Sequence, residues 1–446
     1  MMIIEQFENQ HLAHFSYAIL SESERKIILI DPSRDPQAYY DFAQKHHAEI
    51  IAVIETHPHA DFVSSHLEIS KATGAAIYAS ALANAQYPHM PFGEKTILSF
   101  GKIRLRALDT PGHSPDSICI VLEREGKDRA VFTGDTLFIG DCGRPDLRET
   151  AGKNTAAREV LAKALYNSLR QQLKPLANDV LVYPAHGAGT LCGKSLKKEK
   201  VSTMGEEKNT NWSMQDMTQD DFIEQLLSGQ PFIPAYFGYD VDLNLKGASD
   251  FSRSVRQVPI IQQPDETTSG IMVIDTRDGN LFKRGFLPHS INLMTGHPFE
   301  TWLGTLVEPH QPYYLTAGDT ATLQAMIERT ASIGYEKFIV AAFVPEKAKE
   351  TMSTLDLNRF RLHPGQFTIV DVRNDTEAKD KTIFSDSIHL PLSTLKERWK
   401  DIPLHKPLVV HCAGGYRSAA ASSLLFEKLK DKVEVYDLGE AINDFI

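Results

Sequence analysis

Four β-rich segments in the first half of the chain each lead into side chains of the kind that bind metals. The segments are AVIET, IRLRALDT, AVFTGD and DVLVYPAH, and the side chains at or just beyond their ends are His57, His59, Asp61, His113, Asp135 and His186. Loops at one edge of a sheet converge, so residues far apart in sequence assemble one site there. One histidine alone would be an ordinary core or surface residue, but this set predicts a metal centre.

Length and charge restrict the class of protein. The 446 residues correspond to roughly three domains. A net charge of -11 without a long basic run argues against nucleic acid and against anionic membranes as partners. The sequence shows no signal-peptide pattern and no apolar segment of bilayer-spanning length, so we expect a cytoplasmic protein. Four scattered cysteines are too few for a disulfide framework and are treated as thiols.

The second half of the chain contains an internal duplication. IMVIDTRDGN (271–280) and FTIVDVRNDTE (367–377) share a β-rich run followed by Asp, one residue and Arg. Their spacing of roughly 100 residues is too long for a solenoid repeat and suits two small domains. With the strand and helix alternation before them, the pattern predicts an α/β chain of three parts, 1–245, 246–350 and 351–446. We call 246–350 the middle copy and 351–446 the C-terminal copy.

The motifs of the first part resemble a known family. THPHAD, TPGHSPDS, FTGDTLF, GRPD and YPAHG together look like the metallo-β-lactamase fold, in its branch of glyoxalase II hydrolases and persulfide dioxygenases. The resemblance covers about residues 1–245 and implies an αββα sandwich. That branch typically reads HxHxDH, and its last histidine helps to hold one metal of a binuclear pair. Phe62 occupies this place here.

Phenylalanine cannot donate to a metal, so half of a binuclear site lacks a ligand. The intact half, His57, His113 and Asp135, has the composition of the facial triad of non-haem Fe(II) oxygenases. In persulfide dioxygenases the matching positions carry the iron, so we expect mononuclear Fe(II), with zinc as a substitute. The groups expected to hydrogen-bond water or substrate at the metal are His59, Asp61 and His186. A mononuclear zinc hydrolase and a weakened binuclear one stay open, because zinc takes the same ligands.

Three cysteines lie in the first part. Cys119, in the apolar run SICIVL, is interpreted as a core residue, and Cys142 in GDCGRPDL as structural. Cys192 follows the last metal-site strand in AHGAGTLCGKSL, and similar multidomain persulfide dioxygenases carry a matching CGKS. Two interpretations of Cys192 stay open: a thiol at the mouth of the site that relays sulfur or steadies a substrate, or a surface thiol on a tight turn.

Cys412 ends the strand PLVVHC and precedes an Ala-rich helix. The loop of small residues predicts an anion-binding nest at the helix N-terminus, close to Arg417. Such a setting favours a nucleophilic thiolate. The loop resembles CxxGxR of rhodaneses, which carry sulfur as a cysteine persulfide, and is one residue shorter than CxxxxxR of phosphatases. Besides Cys412 and Arg417 it comprises Ala413, Gly414, Gly415, Tyr416 and Ser418.

Other rhodanese features are partly retained. Asp371 and Arg373 match the rhodanese frame, where they position the loop. The segment EAKDKTIFSDSIHLP lacks the usual Gly-His and the ending LGEAINDFI is altered, and these departures concern substrate access more than the sulfur chemistry. The middle copy reads TAGDTA from Thr316, without cysteine and with a negative charge at Asp319. We expect it to be a scaffold domain.

The combination resembles bacterial fusions of a persulfide dioxygenase with a pseudo-rhodanese and a rhodanese. This implies O2-dependent oxidation of a low-molecular-weight thiol persulfide to sulfite. The thiol that carries the persulfide would be glutathione, coenzyme A or bacillithiol. A Cys412 persulfide would then give thiosulfate in sulfide detoxification, or would load the first domain's substrate. Relatives suggest a homodimer or homotetramer. A zinc thioester hydrolase fused to a sulfurtransferase is the alternative enzyme. The third hypothesis, a sulfur-binding sensor, is disfavoured by the open triad and the intact loop.

Overall fold

The computed structural model describes residues 2–94, 96–147, 155–263, 270–296 and 298–446, and the chain divides into two compact units. The first unit is Met1–Ser254 with Ser332–Gly334, and the second is Val255–Ala331 with Tyr335–Ile446. The short segment belongs to the first unit, where Val63 N donates to Ser332 O at 2.8 Å. Among the described helices, none is both long enough and apolar enough to cross a membrane.

The first unit contains two six-stranded sheets, with strand orders β1-β2-β3-β4-β5-β6 and β12-β11-β10-β9-β8-β7. The strands of the first sheet are β1 (Met2–Asn9), β2 (His14–Ser21), β3 (Lys26–Ile30), β4 (Glu49–Ile54), β5 (Ala76–Ala79) and β6 (Met90–Pro91). Those of the second are β7 (Ile97–Phe100), β8 (Ile103–Asp109), β9 (Ile118–Arg124), β10 (Lys127–Gly134), β11 (Leu181–Pro184) and β12 (Ser202–Thr203).

The two sheets pack face to face with helices outside them. Strand β2 shows why, because it is buried on both faces. Its residues Tyr17 and Ile19 enter the core between the sheets, while Ala18 and Leu20 face the helix layer, as the two-residue period of a strand requires. The helices of this unit are α1 (Gln37–Lys45), α2 (His66–Thr73), α3 (Thr155–Ser168), α4 (Met204–Thr210), α5 (Gln219–Leu227) and α6 (Tyr236–Lys246). The expected αββα sandwich is confirmed.

The second unit contains two parallel four-stranded sheets of the same topology, β14-β13-β15-β16 and β18-β17-β19-β20. The identical order shows that the duplication seen in the sequence is a duplication of fold. The strands are β13 (Met272–Asp275), β14 (Ser290–Asn292), β15 (Tyr313–Thr316), β16 (Ile339–Phe343), β17 (Thr368–Asp371), β18 (Ile388–His389), β19 (Leu408–His411) and β20 (Val435–Asp437).

Short helices follow most of these strands, as parallel strands require a crossover connection. Helix α7 (Phe251–Arg256) carries the chain from the first unit into the second, and α14 follows the Cys412 loop. The helices are α8 (Gly279–Arg284), α9 (Phe299–Leu306), α10 (Thr320–Ala331), α11 (Leu357–Leu362), α12 (Asp375–Asp380), α13 (Leu392–Arg398) and α14 (Tyr416–Leu429). The domain boundaries drawn from the sequence stay predictions, since the two copies form one unit.

Candidate metal centre and cysteine loop

The predicted triad converges at the ends of its strands. His113 Nε2 lies 3.4 Å from Asp135 Oδ2, and His57 Nε2 lies 3.9 Å from the same oxygen. All three side chains are buried, and their ligand atoms lie within 4.8 Å of one another. Both carboxylate oxygens of Asp135 lack a hydrogen-bond partner among the described residues. Two imidazoles and an unsatisfied carboxylate around one point are a donor set that fits a divalent cation.

Neighbouring groups hold the triad in place. Thr56 Oγ1 is 3.0 Å from His57 Nδ1 and donates to Asp31 Oδ2 at 2.8 Å, so the imidazole is oriented from behind. Two glycines permit close approach of the loops. A Cβ on Gly143 would lie 1.9 Å from the Asp135 carbonyl oxygen, and a Cβ on Gly134, whose φ is +50°, would lie 2.7 Å from Thr56 Oγ1.

A second cluster adjoins the triad. His186 Nε2 lies 3.5 Å from Asp61 Oδ2 and 3.6 Å from Asp135 Oδ1, and His59 joins Asp61 and His186 in a buried group. Burial raises the pKa of Asp61. Although burial opposes its charged form, Asp61 and Asp135 raise the pKa of His186. The six predicted residues are therefore brought together as two adjacent clusters.

Phe62 does not leave an empty space at the missing ligand position. Its ring lies between two imidazoles, with centroid distances of 3.8 Å to His14 and 4.3 Å to His59. Asn244 of α6 braces the same loop, because its Nδ2 donates to the carbonyls of His59 at 2.8 Å and Phe62 at 2.7 Å. Its Oδ1 accepts from Ser64 N at 2.8 Å. No sequence pattern points to Asn244, because it lies about 180 residues from the loop.

The first unit contains three free thiols, and all of them are buried: Cys119, Cys142 and Cys192. Cys119 lies in β9 as expected for a core residue, and burial raises its pKa to about 11. Cys192 is only 1% exposed, so its interpretation as a surface thiol is wrong. Its sulfur lies within 4.8 Å of the ligand atoms of Asp135 and His186. Burial raises the pKa of Cys192, and the carboxylates of Asp61 and Asp135 raise it further.

In the second unit, Cys412 follows β19 and is buried under its loop. Gly415 N donates to Cys412 Sγ at 3.1 Å, which shows a backbone N–H directed at the sulfur. Gly415 has a φ of +95°, and a Cβ there would lie 3.0 Å from Glu440 N. Ser418 Oγ donates to Gly415 O at 3.0 Å and fixes the turn into α14. The altered C-terminal segment therefore packs against the loop.

Arg417 is engaged by a partner that the sequence interpretation missed. Its Nη2 donates to Glu377 Oε1 at 2.7 Å, and Nη1 bonds the other oxygen, which makes a two-pronged ion pair. Although burial opposes the charge, Glu377 raises the pKa of Arg417. Arg373 is likewise paired with Asp371, at 2.9 Å from Nε to Oδ1. The sequence feature that could have predicted this pair is that Glu377 lies in the same segment as Asp371 and Arg373.

The middle copy has the same loop position with a different content. Thr316 ends β15, and Asp319 accepts hydrogen bonds from Thr322 N at 2.8 Å and from Thr322 Oγ1 at 2.7 Å. These bonds, with that to Thr322 N first, lower the pKa of Asp319. A carboxylate of the chain itself thus caps the start of α10, whereas the C-terminal copy directs the N–H of Gly415 at a sulfur.

The middle copy also contacts the Cys412 loop of the C-terminal copy. Tyr416 Oη donates to Met294 O at 2.8 Å, and a Cβ on Gly296 would lie 2.8 Å from the Tyr416 ring. Arg329 Nη2 donates to Gly296 O at 3.0 Å and pairs with Glu300, with both nitrogen–oxygen distances at 2.6 Å. Met294 and Gly296 of the middle copy therefore lie against Tyr416, the first residue of α14, and Arg329 holds Gly296 in place.

Comparison with known proteins agrees with the two folds. Residues 12–186 match the metallo-beta-lactamase superfamily and residues 354–441 the rhodanese-like domain. A crystal structure of a metallo-beta-lactamase from Staphylococcus aureus is 31% identical with a TM-score of 0.70, covering 77% of this chain and 99% of that one. The mitochondrial persulfide dioxygenase ETHE1 of Homo sapiens is 30% identical over 194 residues, 42% of this chain and 69% of that protein. A hydroxyacylglutathione hydrolase of Polaromonas sp. is 31% identical over 189 residues, 42% of this chain and 66% of that protein.

The chain belongs to the metallo-β-lactamase superfamily. Within it, the chain is a homologue of the persulfide dioxygenases and of glyoxalase II-type hydrolases, and it carries a rhodanese-like domain at its C-terminal end.

Proposed function

We propose that the chain is a persulfide dioxygenase joined to a sulfurtransferase. The observation that carries the proposal is the buried triad of His57, His113 and Asp135 beside a phenylalanine that fills the place of a further ligand. This leaves one intact set of three protein ligands, and a metal held by three protein ligands would keep coordination positions for exogenous ligands, as O2-dependent oxidation requires. The likeness to persulfide dioxygenases supports the same chemistry.

In the proposed reaction, the terminal sulfur of a thiol persulfide is oxidised to sulfite and O2 is reduced. The sulfur–sulfur bond breaks, water supplies the third oxygen of sulfite, and the carrier leaves as a thiol. The triad would hold Fe(II), which when bound supplies the activation of O2. His59, Asp61 and His186 would hydrogen-bond water or substrate beside it. The carrier is of the glutathione, coenzyme A or bacillithiol type.

The second half-reaction is assigned to Cys412. Sulfite attacks the outer sulfur of a Cys412 persulfide, which forms thiosulfate and returns the cysteine as a thiolate. The N–H of Gly415 is directed at the sulfur and would stabilise that negative charge. Arg417, held by Glu377, keeps the loop in shape and adds positive charge beside it. The opposite flow, in which Cys412 loads the carrier thiol, uses the same groups.

Cys192 is a candidate intermediate carrier of sulfur. Its thiolate would take the terminal sulfur of the carrier persulfide and release the carrier as a thiol. Support comes from its position within 4.8 Å of Asp135 and His186, inside the metal centre. The four free cysteines fit a reducing compartment, and we propose cytoplasmic action on this ground. A homodimer or homotetramer stays a prediction.

One observation favours a second candidate function. His59, Asp61 and His186 converge without the fourth ligand, and hydroxyacylglutathione hydrolases are among the relatives. A zinc-loaded thioester hydrolase fused to a sulfurtransferase would use these groups. It would cleave acylglutathione-like thioesters and consume no O2.

The deciding experiment measures O2 uptake with glutathione persulfide by protein of determined metal content. We expect uptake in proportion to iron in the wild type, none in His113→Ala, and in Cys412→Ser a shift of product from thiosulfate to sulfite. Cys119→Ala, which removes a core thiol that belongs to neither predicted site, is the matched control. Iron-loaded protein that takes up no O2, while the zinc form cleaves S-lactoylglutathione, would establish the hydrolase instead.

A further inference from the structure

The altered C-terminal ending LGEAINDFI covers the residue that directs its N–H at the Cys412 sulfur. A Cβ on Gly415 would lie 3.0 Å from Gly439 C and 3.0 Å from Glu440 N, so the peptide between Gly439 and Glu440 packs directly on Gly415. Both glycines are buried. Gly415 N in turn donates to Cys412 Sγ at 3.1 Å. The position of the Gly439–Glu440 peptide therefore decides where this N–H points.

Asp437 fixes the turn that carries this peptide. It is the last residue of β20, and its Oδ1 accepts from Gly439 N at 2.9 Å. Gly439 has a φ of +58°, and a Cβ there would lie 3.3 Å from Asp437 Oδ2, so the turn is closed tightly around the carboxylate. Only 3% of the Asp437 side chain is exposed. A carboxylate buried to this extent is stable as an anion only when a cation pairs with it.

The cation comes from the middle copy. Lys283 lies in α8, and its Nζ is 3.1 Å from Asp437 Oδ2. The backbone of Lys283 is held as well, because Met352 N donates to Lys283 O at 3.0 Å. Within the described residues, Lys283 is the cation that pairs with Asp437, and both residues belong to the second unit. Removing the ammonium would leave a buried charge without a partner.

We propose that Lys283 of the middle copy is a positioning residue for sulfur transfer at Cys412. Its ammonium neutralises Asp437, and Asp437 holds Gly439. The turn at Gly439 keeps Gly415 N directed at the sulfur. The proposal rests on the sulfur-transfer half of the proposed function and gives that half-reaction a charged residue from the copy that has no cysteine.

The test measures sulfur transfer from thiosulfate to cyanide by the full chain, with the rate expressed per Cys412 persulfide counted by cyanolysis. Lys283→Met keeps the length of the side chain and removes its charge. We expect kcat to fall about tenfold because the turn shifts, and KM for thiosulfate to stay within about twofold. The KM is retained because Arg417 is held by Glu377 of α12, which is not part of this turn. Counting persulfide excludes any unfolded fraction from the rate.

Three further variants separate the charge from the fold. Lys283→Arg retains the cation and should retain most of the rate. In Asp437→Asn combined with Lys283→Met, the amide oxygen still accepts from Gly439 N and no charge is left unpaired, so most of the lost rate should return. Arg284→Met removes the exposed cation that follows Lys283 in the chain, and this matched control should transfer sulfur as the wild type does.

Two results would overturn the proposal: a wild-type kcat in Lys283→Met, or a loss in that variant that neither Lys283→Arg avoids nor Asp437→Asn reverses. A wild type that forms no Cys412 persulfide would refute the sulfur-transfer half of the proposed function, and this assignment with it. Persulfide formed at Cys412 in every variant, with equal rates in all of them, would refute the assignment alone.

Discussion

The contact between Gly296 and Tyr416 allows a quantitative test of whether the middle copy supports the sulfur-transfer loop. In Gly296→Ala the added Cβ would lie 2.8 Å from one ring carbon of Tyr416 and 3.0 Å from the next. Carbon atoms in contact are about 3.5–4.0 Å apart, so the ring must move by about 0.7–1.2 Å. Overpacking of this size costs about 1–3 kcal/mol. The hydrogen bond from Tyr416 to Met294 O, now 2.8 Å, would be weakened as well.

That movement reaches the reacting sulfur. Tyr416 is the first residue of α14 and directly follows Gly415, whose N–H is 3.1 Å from Cys412 Sγ. A 1 Å misplacement costs up to about 100-fold in rate, and a partly absorbed one should cost about tenfold in kcat/KM, or ~1.4 kcal/mol. The assay is sulfur transfer from thiosulfate to cyanide by the full chain.

The chain offers a matched control. Gly318→Ala, in the loop of the middle copy, adds a Cβ whose nearest neighbour is 3.9 Å away, and we expect wild-type sulfur transfer. Removing the ring with Tyr416→Ala in the Gly296→Ala background relieves the clash, so part of the lost rate should return. Unchanged sulfur transfer in Gly296→Ala, or an equal loss in Gly318→Ala, would refute the reasoning.

Three further outcomes are expected. Asn244→Ala should weaken iron binding at the triad about 10- to 100-fold in a chelator competition, since three hydrogen bonds to the metal-bearing loop are lost; equal affinity would contradict this. Burial would raise the pKa of Glu377 above its ordinary 4.5, but the ion pair with Arg417 lowers it. The pair therefore stabilises the folded state above pH 4.5, and this stability is lost as the pH falls through the lowered pKa. The free energy of unfolding of the second unit, measured in urea, should therefore fall in acid. It should fall less steeply in Glu377→Gln, which has no carboxyl to protonate. Removing metal with a chelator should abolish O2 uptake and leave Cys412-dependent sulfur transfer intact, because the triad and the loop belong to different units.

The sequence predicted those parts of the site that short segments carry. Strand ends with histidine and aspartate predicted the triad's members, and the repeated Asp-x-Arg frame predicted the duplication now visible as two identical sheet topologies. It did not predict the burial of Cys192, because the loops of Asp141 and Arg144 that enclose it come from about 50 residues away. Asn244 was missed for the same reason. Such contacts depend on tertiary packing and have no local pattern.

The two copies of the rhodanese-like fold show how one backbone device yields opposite outcomes. Each places a helix directly after a strand and a short loop. The first N–H groups of each helix therefore have no hydrogen-bond partner within the helix itself. In the C-terminal copy small residues leave those groups open, and Gly415 N reaches Cys412 Sγ. In the middle copy Asp319 supplies its own carboxylate to the helix start, which removes the need for an external anion.

The middle copy has no cysteine in its loop, but its strand β14 and the residues after it hold helix α14 of the C-terminal copy. Asn292 N of β14 donates to Ser423 Oγ of α14 at 2.9 Å, and Tyr416 at the start of the same helix bonds Met294 O. The edge strand of one copy thus supports the helix that carries the reactive loop of the other. The loss of the cysteine leaves this support unaffected, because none of these contacts involves the residues of the TAGDTA loop. A middle copy without a nucleophile is therefore still expected to be needed for sulfur transfer at Cys412.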